Sequence, residues 1–222
     1  MSNKNILVTG TSRGIGQAIA KTFLEEGYSV IGTSTTGKSN IEDENFSCYQ
    51  LSLDNEESIK SFIEELNKNK VSLQGIINNA AILLDKNSSS QVDIEKLRTT
   101  FNVNFFGAIS ITEGLIPLLE DNSHIINISS TWGSFSDPYF SEYQPHYKMS
   151  KAALNMYTKL LAERLTNRNI KVSALDPGWV KTGMGGMNAL KKPSSVGIEV
   201  YNLFTTQEPT GSFWAGGRVK DW

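Results

Sequence analysis

The stretch Ile6-Leu-Val-Thr-Gly-Thr-Ser-Arg-Gly-Ile-Gly16 decides the fold of this chain. Its apolar start predicts a buried β-strand, and Gly10, Gly14 and Gly16 follow where a segment of helical periodicity opens. Glycine permits a tight turn and lets the backbone N–H groups of a helix N-terminus approach a phosphate. The Lys-Ser/Thr pair of an ATP-hydrolysing phosphate loop is missing. We therefore expect a strand-turn-helix unit that binds a pyrophosphate.

Outward from this unit, short apolar runs alternate with helical segments along the whole chain. Strands are predicted at 6–9, 28–33, 48–53, 75–78, 124–128, 170–175 and near 213–214, and helices at 14–26, 55–66, 94–119, 144–165 and 196–204. With right-handed crossovers, this alternation predicts a doubly wound, Rossmann-type parallel sheet with helices on both faces. No linker or repeat interrupts it, so we expect a single α/β domain over residues 1–222.

The composition excludes several classes of protein. Lys+Arg 21 against Asp+Glu 23 leaves a net charge of −2, so no global field attracts nucleic acid or an anionic membrane. One cysteine, Cys48, and two histidines give neither a disulfide nor the spacing of a metal site. The N-terminus lacks the apolar core of a signal peptide, and no run approaches the roughly 18 apolar residues of a membrane span. We expect a soluble, cytoplasmic protein without a metal.

The end of the second predicted strand indicates which dinucleotide binds. In such sheets ligands lie beyond the carboxyl ends of the strands, and an acid there accepts the ribose hydroxyl of NAD. Residues 32–38, Gly-Thr-Ser-Thr-Thr-Gly-Lys, contain no acid. Arg13 in the glycine loop and Lys38 offer cations to a 2′-phosphate, although both also fit the description of solvated surface charges. The sequence therefore favours NADP(H) over NAD.

A tyrosine and a lysine stand one turn apart on the helix predicted at 144–165. Tyr147 and Lys151 are neighbours on one helix face, and an adjacent ammonium stabilises a phenolate. At about 4 Å and an effective dielectric near 20, the attraction is roughly 4 kcal/mol, or about 3 pKa units. The pair alone is weak evidence. The hydroxyls of Ser129 and Ser130, at the end of the fifth strand, add groups that hydrogen-bond a carbonyl oxygen.

Taken together, these segments resemble the classical short-chain dehydrogenases/reductases over nearly the whole chain. The matching motifs, in family order, are Thr9 to Gly16, Asn78 to Ala80, the helical Asn104, Ser130, Tyr147 with Lys151, and Pro177 to Thr182. The chain departs from the family at two positions. Ala81 replaces a glycine, and Ser52 replaces an acid that contacts adenine. Either Asp54 substitutes for this acid from a shifted position, or the contact is weaker.

The resemblance implies hydride transfer between NADPH and a carbonyl compound. Tyr147 would be the general acid and Ser130 would orient the carbonyl oxygen, with Ser129 as the competing serine. Lys151 would lower the pKa of the tyrosine and bind the nicotinamide ribose, and Asn104 would hold a water that links Lys151 to solvent. The implied cofactor contacts are Gly10, Ser12, Arg13, Gly14, Ile15, Gly16, Ser34, Thr35, Leu53, Asn79, Ala80, Tyr147, Lys151, Pro177, Gly178, Val180 and Thr182.

Three activities stay open within this resemblance. Residues 176–186 and the ending 211–222 resemble the C-factor and sniffer-type carbonyl reductases, whereas the front portion resembles the 3-oxoacyl-carrier-protein reductases. An acidic carrier protein would require a basic patch, for which Lys181, Lys191 and Lys192 are the candidates. A C-factor-like signalling protein with little turnover is the third alternative.

The remaining predictions concern the substrate and the assembly. Aromatic residues near the expected cleft mouth favour an apolar or aromatic carbonyl substrate, selected by loops 132–144 and 182–193. These aromatics are Trp132, Phe135, Tyr139, Phe140, Tyr143 and Trp179. His146 is expected in surface or loop packing, because a sequence neighbour of Tyr147 points away from it. The two long helices suggest a homodimer or homotetramer.

Overall fold

The computed structural model describes residues 4–84 and 90–222. The strands are β1 Asn5–Val8, β2 Ser29–Ser34, β3 Phe46–Gln50, β4 Leu73–Asn78, β5 Leu119–Ile128, β6 Lys171–Asp176, β7 Ser212–Ala215 and β8 Arg218–Lys220. The helices are α1 Gly14–Glu25, α2 Glu56–Lys68, α3 Ile94–Phe101, α4 Ala108–Leu115, α5 Pro145–Arg164 and α6 Pro193–Thr205. A π-helical turn, Asn102–Gly107, joins α3 to α4.

All eight strands of the described residues form one sheet, in the order β3-β2-β1-β4-β5-β6-β7-β8. Every pairing is parallel except that of β7 with β8. The order reverses between β1 and β4, which is the switch point where a doubly wound sheet binds its ligand. The predicted fold class is confirmed.

Alternation along β1 divides the core into two layers. Leu7 packs on one face with Leu66 of α2, Leu115 of α4 and Leu161 of α5. Ile6 and Val8 pack on the other face with apolar residues of α1 and α6, among them Phe23 and Val200. Because both faces are covered by helices, the strands carry almost unbroken apolar runs, as a buried parallel sheet requires.

Element boundaries differ from the prediction at three places. Strand β3 lies at Phe46–Gln50 and ends earlier than predicted. The apolar residues Leu51 and Leu53, which indicated a longer strand, are buried in the turn beyond its end. The helical stretch ends at Leu118, and β5 begins at once with Leu119. The short strand β8 was not predicted, although Gly216 and Gly217, both with positive φ, form the kind of turn that joins two antiparallel strands.

A buried chain of hydrogen bonds, here called the polar ladder, ties the central strands to the helices. Asn78 at the end of β4 donates to Thr112 of α4 and to Asn127 of β5, both at 2.8 Å. Asn127 in turn donates to Thr158 of α5 at 2.9 Å. Buried side-chain amides need such partners. The ladder therefore bonds α4 and α5 to the central strands.

His146 lies at the first turn of α5 and is buried, so the expectation of a surface position is wrong. Its Nε2 accepts the backbone N–H of Asp93 at 2.8 Å. Asp93 is also the N-cap of α3. The histidine packs the loop before α3 against α5. The alternative expectation for His146, a role in loop packing, therefore agrees with the structure. No helix among the described residues is both long and apolar enough to cross a membrane.

His124 on β5 makes the stability of the fold depend on pH. Its ring bonds to Ser173 at 2.9 Å and contacts the Phe204 carbonyl at 3.3 Å, and burial lowers its pKa from 6.5 to about 3. Below pH 6.5 the unfolded chain therefore binds a proton at His124, whereas the folded chain keeps the ring neutral down to about pH 3. This stabilising contribution is complete above pH 6.5 and decreases as the pH falls toward 3.

We expect His124→Gln to remove part of this pH dependence. Between pH 6.5 and about 4.5 the parent protein should lose up to about 3 kcal/mol more unfolding free energy than the variant. Urea unfolding of both proteins across this range measures the difference, since the remaining titrating groups are common to both. Parallel stability curves would contradict the assignment.

Candidate active site

A cleft of about 1740 Å³ opens at the carboxyl ends of the strands. All of the expected cofactor residues line it, and so does Ser130. They come from the loops after β1, β2, β3, β4, β5 and β6 and from the start of α5. The topology therefore gathers residues that are as far apart in the sequence as Gly10 and Thr182 into one site.

The glycine loop after β1 is compact because three of its positions exclude a side chain. Gly10 and Gly14 have φ values of 77° and 62°, which L-residues with side chains rarely adopt. A Cβ on Gly16 would lie 2.2 Å from the carbonyl oxygen of Gly10. Asn79 closes the base of the loop, since its Nδ2 donates to the Thr9 carbonyl at 2.8 Å.

The N-terminus of α1 is suited to receive a phosphate. Helices α2 and α3 are capped by the side chains of Asn55 and Asp93, which accept hydrogen bonds from the first-turn N–H groups. The N-cap of α1 is Arg13, and its side chain makes no such bond. The first-turn N–H groups of α1 thus keep their capacity to bind an anion, with the helix dipole in support. The loop fits a pyrophosphate.

The β2 end of the cleft carries one of the two expected cations. Arg13 is exposed and lines the cleft, whereas exposed Lys38 is not among the lining residues. The Ser34 hydroxyl lies on the cleft wall but is engaged with the backbone of Lys38, with two contacts of 2.9 Å. Thr35 is exposed there. No acid replaces the missing carboxylate in this stretch.

Both departures from the family pattern have a structural account. Ala81 is not among the residues with positive φ, so the loop after β4 does not need a glycine at this position. Ser52 donates to the carboxylate of Asp54 at 2.7 Å, and both residues line the cleft. An acid therefore lines the cleft two residues after Ser52, and its contact with adenine stays a prediction.

The structure distinguishes the two serines after β5. The Ser129 hydroxyl is buried and donates to Oδ1 of Asn155 on α5. Ser130 is only partly buried and lines the cleft, and its Oγ accepts the N–H of Trp132 at 3.2 Å. The hydroxyl proton of Ser130 is thus available for a ligand in the cleft, which supports Ser130 as the residue that orients the substrate.

Tyr147 and Lys151 lie on one face of α5, as expected, but their contacts differ from expectation. Lys151 is buried, and its Nζ donates to the carbonyl of Ile128 at 2.7 Å. This Nζ is 5.5 Å from the centroid of the Tyr147 ring. Trp132 packs edge-on against the same ring, with the two centroids 6.1 Å apart.

In the protein by itself the pKa of Tyr147 is raised rather than lowered, so the lowering expected from Lys151 stays a prediction. Burial raises the pKa of Tyr147, and the Asp176 carboxylate raises it further. Burial also lowers the pKa of Lys151 to about 8. In a site this enclosed, loss of hydration outweighs the attraction between the two groups.

Asp176, at the end of β6, is a cleft residue to which the sequence reasoning assigned no role. Its Oδ1 accepts the N–H of Gly178 at 3.0 Å, and burial raises the pKa of its carboxyl. The available signal was an acid immediately before the Pro177-Gly178 pair that resembles a nicotinamide contact. The carboxylate lies on the Tyr147 side of the cleft and favours the protonated phenol.

Asn104 lies in the π-helical turn and is not among the residues that line the cleft. Its amide pairs with the backbone of Ile82, accepting the N–H at 2.8 Å and donating to the carbonyl at 2.9 Å. It also donates to Ser150, whose hydroxyl donates to the carbonyl of Tyr147. Asn104 thus links the loop after β4 to the first turns of α5. The water that it is expected to hold stays a prediction.

Comparison with known proteins identifies the family to which this chain belongs. The family model described as short chain dehydrogenase matches residues 4–192. The chain belongs to this family. Among its relatives, the 3-oxoacyl-[acyl-carrier-protein] reductase FabG of Aquifex aeolicus is 31% identical over 226 residues, which is 96% of this chain and 85% of the relative.

Two solved structures have the same fold. The NADPH-bound carbonyl reductase from chicken fatty liver is 27% identical, with a TM-score of 0.89 over 100% of this chain and 95% of that one. Carbonyl reductase Sniffer of D. melanogaster is 22% identical, with a TM-score of 0.87 over 100% of both chains. The protein is therefore an oxidoreductase of the short-chain dehydrogenase family.

The aromatic residues do not all lie where expected in this short-chain dehydrogenase. Trp132 and Trp179 line the cleft. The other four are exposed and are not among the lining residues: Phe135, Tyr139, Phe140 and Tyr143. They follow Ser134, which donates to Ser136 or the Asp221 carbonyl and so directs the loop toward the C-terminus. Phe140 nevertheless lies close to the cleft residue Trp132, since Nζ of Lys148 is 5.2 Å from the ring centroid of Phe140 and 5.5 Å from that of Trp132.

We expect Lys151→Met to stabilise the free short-chain dehydrogenase near pH 7. A lysine with a pKa of about 8 in the fold and 10.5 when unfolded destabilises the protein fully below pH 8, and this cost disappears toward pH 10.5. The unfolding free energy should rise by about 1 to 3 kcal/mol. Loss of the hydrogen bond to the Ile128 carbonyl offsets part of the gain from removing the buried ammonium.

Thermal unfolding between pH 7 and about 10 measures this effect, and the gain should shrink as the pH rises. Lys60→Met, which removes an exposed lysine on α2, serves as the control and should leave stability nearly unchanged. A loss of stability in Lys151→Met at every pH would show that the ammonium is well accommodated in the fold.

Proposed function

We propose that the protein is an NADPH-dependent reductase of ketones, aldehydes or quinones in which Tyr147 acts as the general acid. The observation that carries this proposal is the convergence of Ser130, Tyr147 and Lys151 in a cleft that begins at a glycine loop and an uncapped helix N-terminus. The names of the similar carbonyl reductases support it.

The cofactor would lie along the carboxyl ends of the strands, from the Asp54 end to Pro177. Its pyrophosphate would sit on the N-terminus of α1, and Arg13 would pair with a 2′-phosphate. Lys151 would hold the nicotinamide ribose, and Val180 and Thr182 would contact the carboxamide. When bound, the cofactor supplies a hydride to the carbonyl carbon.

The protein's own groups then provide a proton and a hydrogen-bond donor. Ser130 orients the carbonyl oxygen with its free hydroxyl proton, and Tyr147 donates its proton to that oxygen as negative charge develops on it. The raised pKa of Tyr147 keeps the phenol protonated before the reaction. The Asp176 carboxylate favours this protonated form, which suits reduction more than oxidation.

The substrate would lie beside Trp132. Apolar side chains line this end of the cleft, among them Trp179, Met184 and Ile198. Trp179 and Met184 come from the segment after β6, Ile198 comes from α6, and Trp132 comes from the turn after β5. Two of these four residues, Trp132 and Met184, fall in the loops that the sequence singled out for specificity. An apolar or aromatic carbonyl compound suits such a wall.

A second candidate function is reduction of 3-oxoacyl groups on a carrier protein. The name of the Aquifex aeolicus relative favours it. Of the three candidate lysines for an acidic partner, Lys191 is engaged with Glu199 at 2.5 Å and with the Pro177 carbonyl at 3.0 Å. Lys181 and Lys192 are exposed, so only two of the three cations are free to face a partner.

Assays with NADPH and both substrate classes separate these candidates. A short 3-oxoacyl thioester would be reduced faster than aromatic ketones and quinones if the second candidate is correct. Tight cofactor binding without turnover of either class would favour the third alternative, a C-factor-like signalling protein. No catalytic residue expected from the sequence is replaced here, and this favours turnover.

We also propose a homodimer or homotetramer in the cytoplasm. Large apolar side chains on α5 and on the π-helical turn before α4 are more than half exposed in the single chain. They are Phe106, Met156 and Leu160. Exposed apolar side chains that share one surface are typical of an interface. Light scattering on the purified protein measures the number of subunits.

Tyr147→Phe should reduce turnover with NADPH by about 100-fold or more while leaving NADPH affinity unchanged within about two-fold, because only the transferable proton is lost. Steady-state kinetics and a fluorescence titration measure the two quantities. Tyr139→Phe is the matched control, since this exposed tyrosine lies outside the cleft lining. Full activity of Tyr147→Phe would exclude the proposed mechanism.

Arg13→Ala should weaken NADPH binding by about 10- to 100-fold, the effect of losing one charge-assisted hydrogen bond. NADH lacks the 2′-phosphate, so its affinity should change little. Lys38→Ala, which removes a cation outside the cleft lining, should change neither. Equal weakening of both cofactors by Arg13→Ala, or tighter binding of NADH by the parent protein, would disprove the assignment of NADPH.

A further inference from the structure

Residues 129–133, here called the catalytic turn, carry Ser130 but are not part of the sheet. The turn begins where Ser129 donates its backbone N–H to the Leu175 carbonyl at 2.7 Å. It ends at Gly133, after a single 3₁₀ turn. Thr131, between these ends, hydrogen-bonds to Asp176 through its backbone and its side chain. The position of the Ser130 hydroxyl depends on this contact and on what holds the two ends.

One side chain of α5 contacts both ends of the catalytic turn. Asn155 is 4% exposed, and its Oδ1 accepts the hydroxyl proton of Ser129. Its Nδ2 donates to the carbonyl of Gly133 at 3.1 Å. Asn155 follows Lys151 by four residues and lies on the same face of α5. Lys151 contacts the end of β5, and Asn155, one helical turn later, contacts the catalytic turn.

The chemistry of these contacts requires an amide. Asn155 accepts at one end and donates at the other, whereas a carboxylate only accepts and an aliphatic side chain does neither. The turn also lies directly on the helix, since a Cβ on Gly133 would be 2.6 Å from the backbone carbon of Lys151. Asn155 thus holds the turn beside Gly133, where the backbone of the turn closely approaches α5.

We propose that Asn155 is a positioning residue for the reduction, which fixes the Ser130 hydroxyl at the place where the carbonyl oxygen must bind. This inference rests on the proposed function. Asn155 is not among the residues that line the cleft, so it acts through the catalytic turn. If either hydrogen bond of Asn155 is lost, the Ser130 hydroxyl becomes free to move relative to Tyr147.

Asn155→Asp is the sharpest test, because it is nearly isosteric, keeps an acceptor for Ser129 and places an acceptor oxygen where the donor to Gly133 was. We expect kcat to fall about 10-fold or more, since small displacements of an orienting group are costly. NADPH affinity should stay within about two-fold. Amide hydrogen exchange within residues 129–134 of the cofactor-free protein should accelerate, a result that does not depend on turnover.

Ser129→Ala removes the other bond without adding a charge and should lower kcat in the same direction. The two substitutions together should cost less than the product of their separate effects, because both act on the same turn. This variant keeps the inference testable if Asn155→Asp folds poorly.

Thr158→Val is the matched control. It removes the buried hydrogen bonds of Thr158 with Asn127 of the polar ladder and with the Leu154 carbonyl, and both partners lie outside the catalytic turn. It should lower thermal stability to a similar extent and leave kcat within about two-fold.

Unchanged kcat and unchanged exchange in Asn155→Asp, in a parent that reduces carbonyl compounds, would overturn the inference alone. An equal loss of kcat in Thr158→Val would also overturn it, since the effect would then be one of general stability. A parent without any turnover would instead overturn the proposed function, and with it the role of Asn155.

Discussion

The hydrogen bond from Lys151 Nζ to the Ile128 carbonyl joins α5 to the end of β5, and the site depends on this contact. It fixes the helix at the edge of the sheet where strands end and ligands bind. Tyr147 lies one turn before Lys151 and faces the cleft, and Asn155 lies one turn after it and holds the catalytic turn. A single helix face thereby sets the positions of the proton donor, the lysine and, through the turn, Ser130.

Burial of these groups determines the electrostatics of the cleft. The same desolvation that raises the pKa of Tyr147 lowers that of Lys151, so each is moved toward its neutral form in the free protein. Asp176 adds a carboxylate on the same side of the cleft and reinforces the protonated phenol. The arrangement costs stability in the free protein, as buried charged and polar groups at functional sites often do. It prepares a phenol that holds its proton until negative charge develops on a bound oxygen.

Much of this architecture could be predicted because it follows from local patterns. The glycine loop between an apolar strand and a helix predicted the sheet, and loops at strand ends predicted which residues would share the cleft. The contacts that set the site's chemistry could not be predicted in the same way. Within the sequence, only the family resemblance favours Ser130 over Ser129. The hydrogen bond that distinguishes them, the burial of Lys151 and the engagement of Lys191 depend on which side chains meet across elements. Asn155 had a sequence signal, its spacing from Lys151, but its two partners lie more than 20 residues away in the sequence.

The most direct measurement of the central claim is to follow the hydride itself. NADPH carrying deuterium at C4 of the nicotinamide, prepared separately with the label on each face, is incubated with the protein and an aromatic ketone, and the alcohol is analysed by mass spectrometry. The account predicts that deuterium from one face only appears on the carbinol carbon, because the cleft holds the ring in one orientation against the carbonyl. Alcohol that carries no label from either face, or no alcohol at all from any ketone, aldehyde, quinone or 3-oxoacyl thioester, would contradict the account.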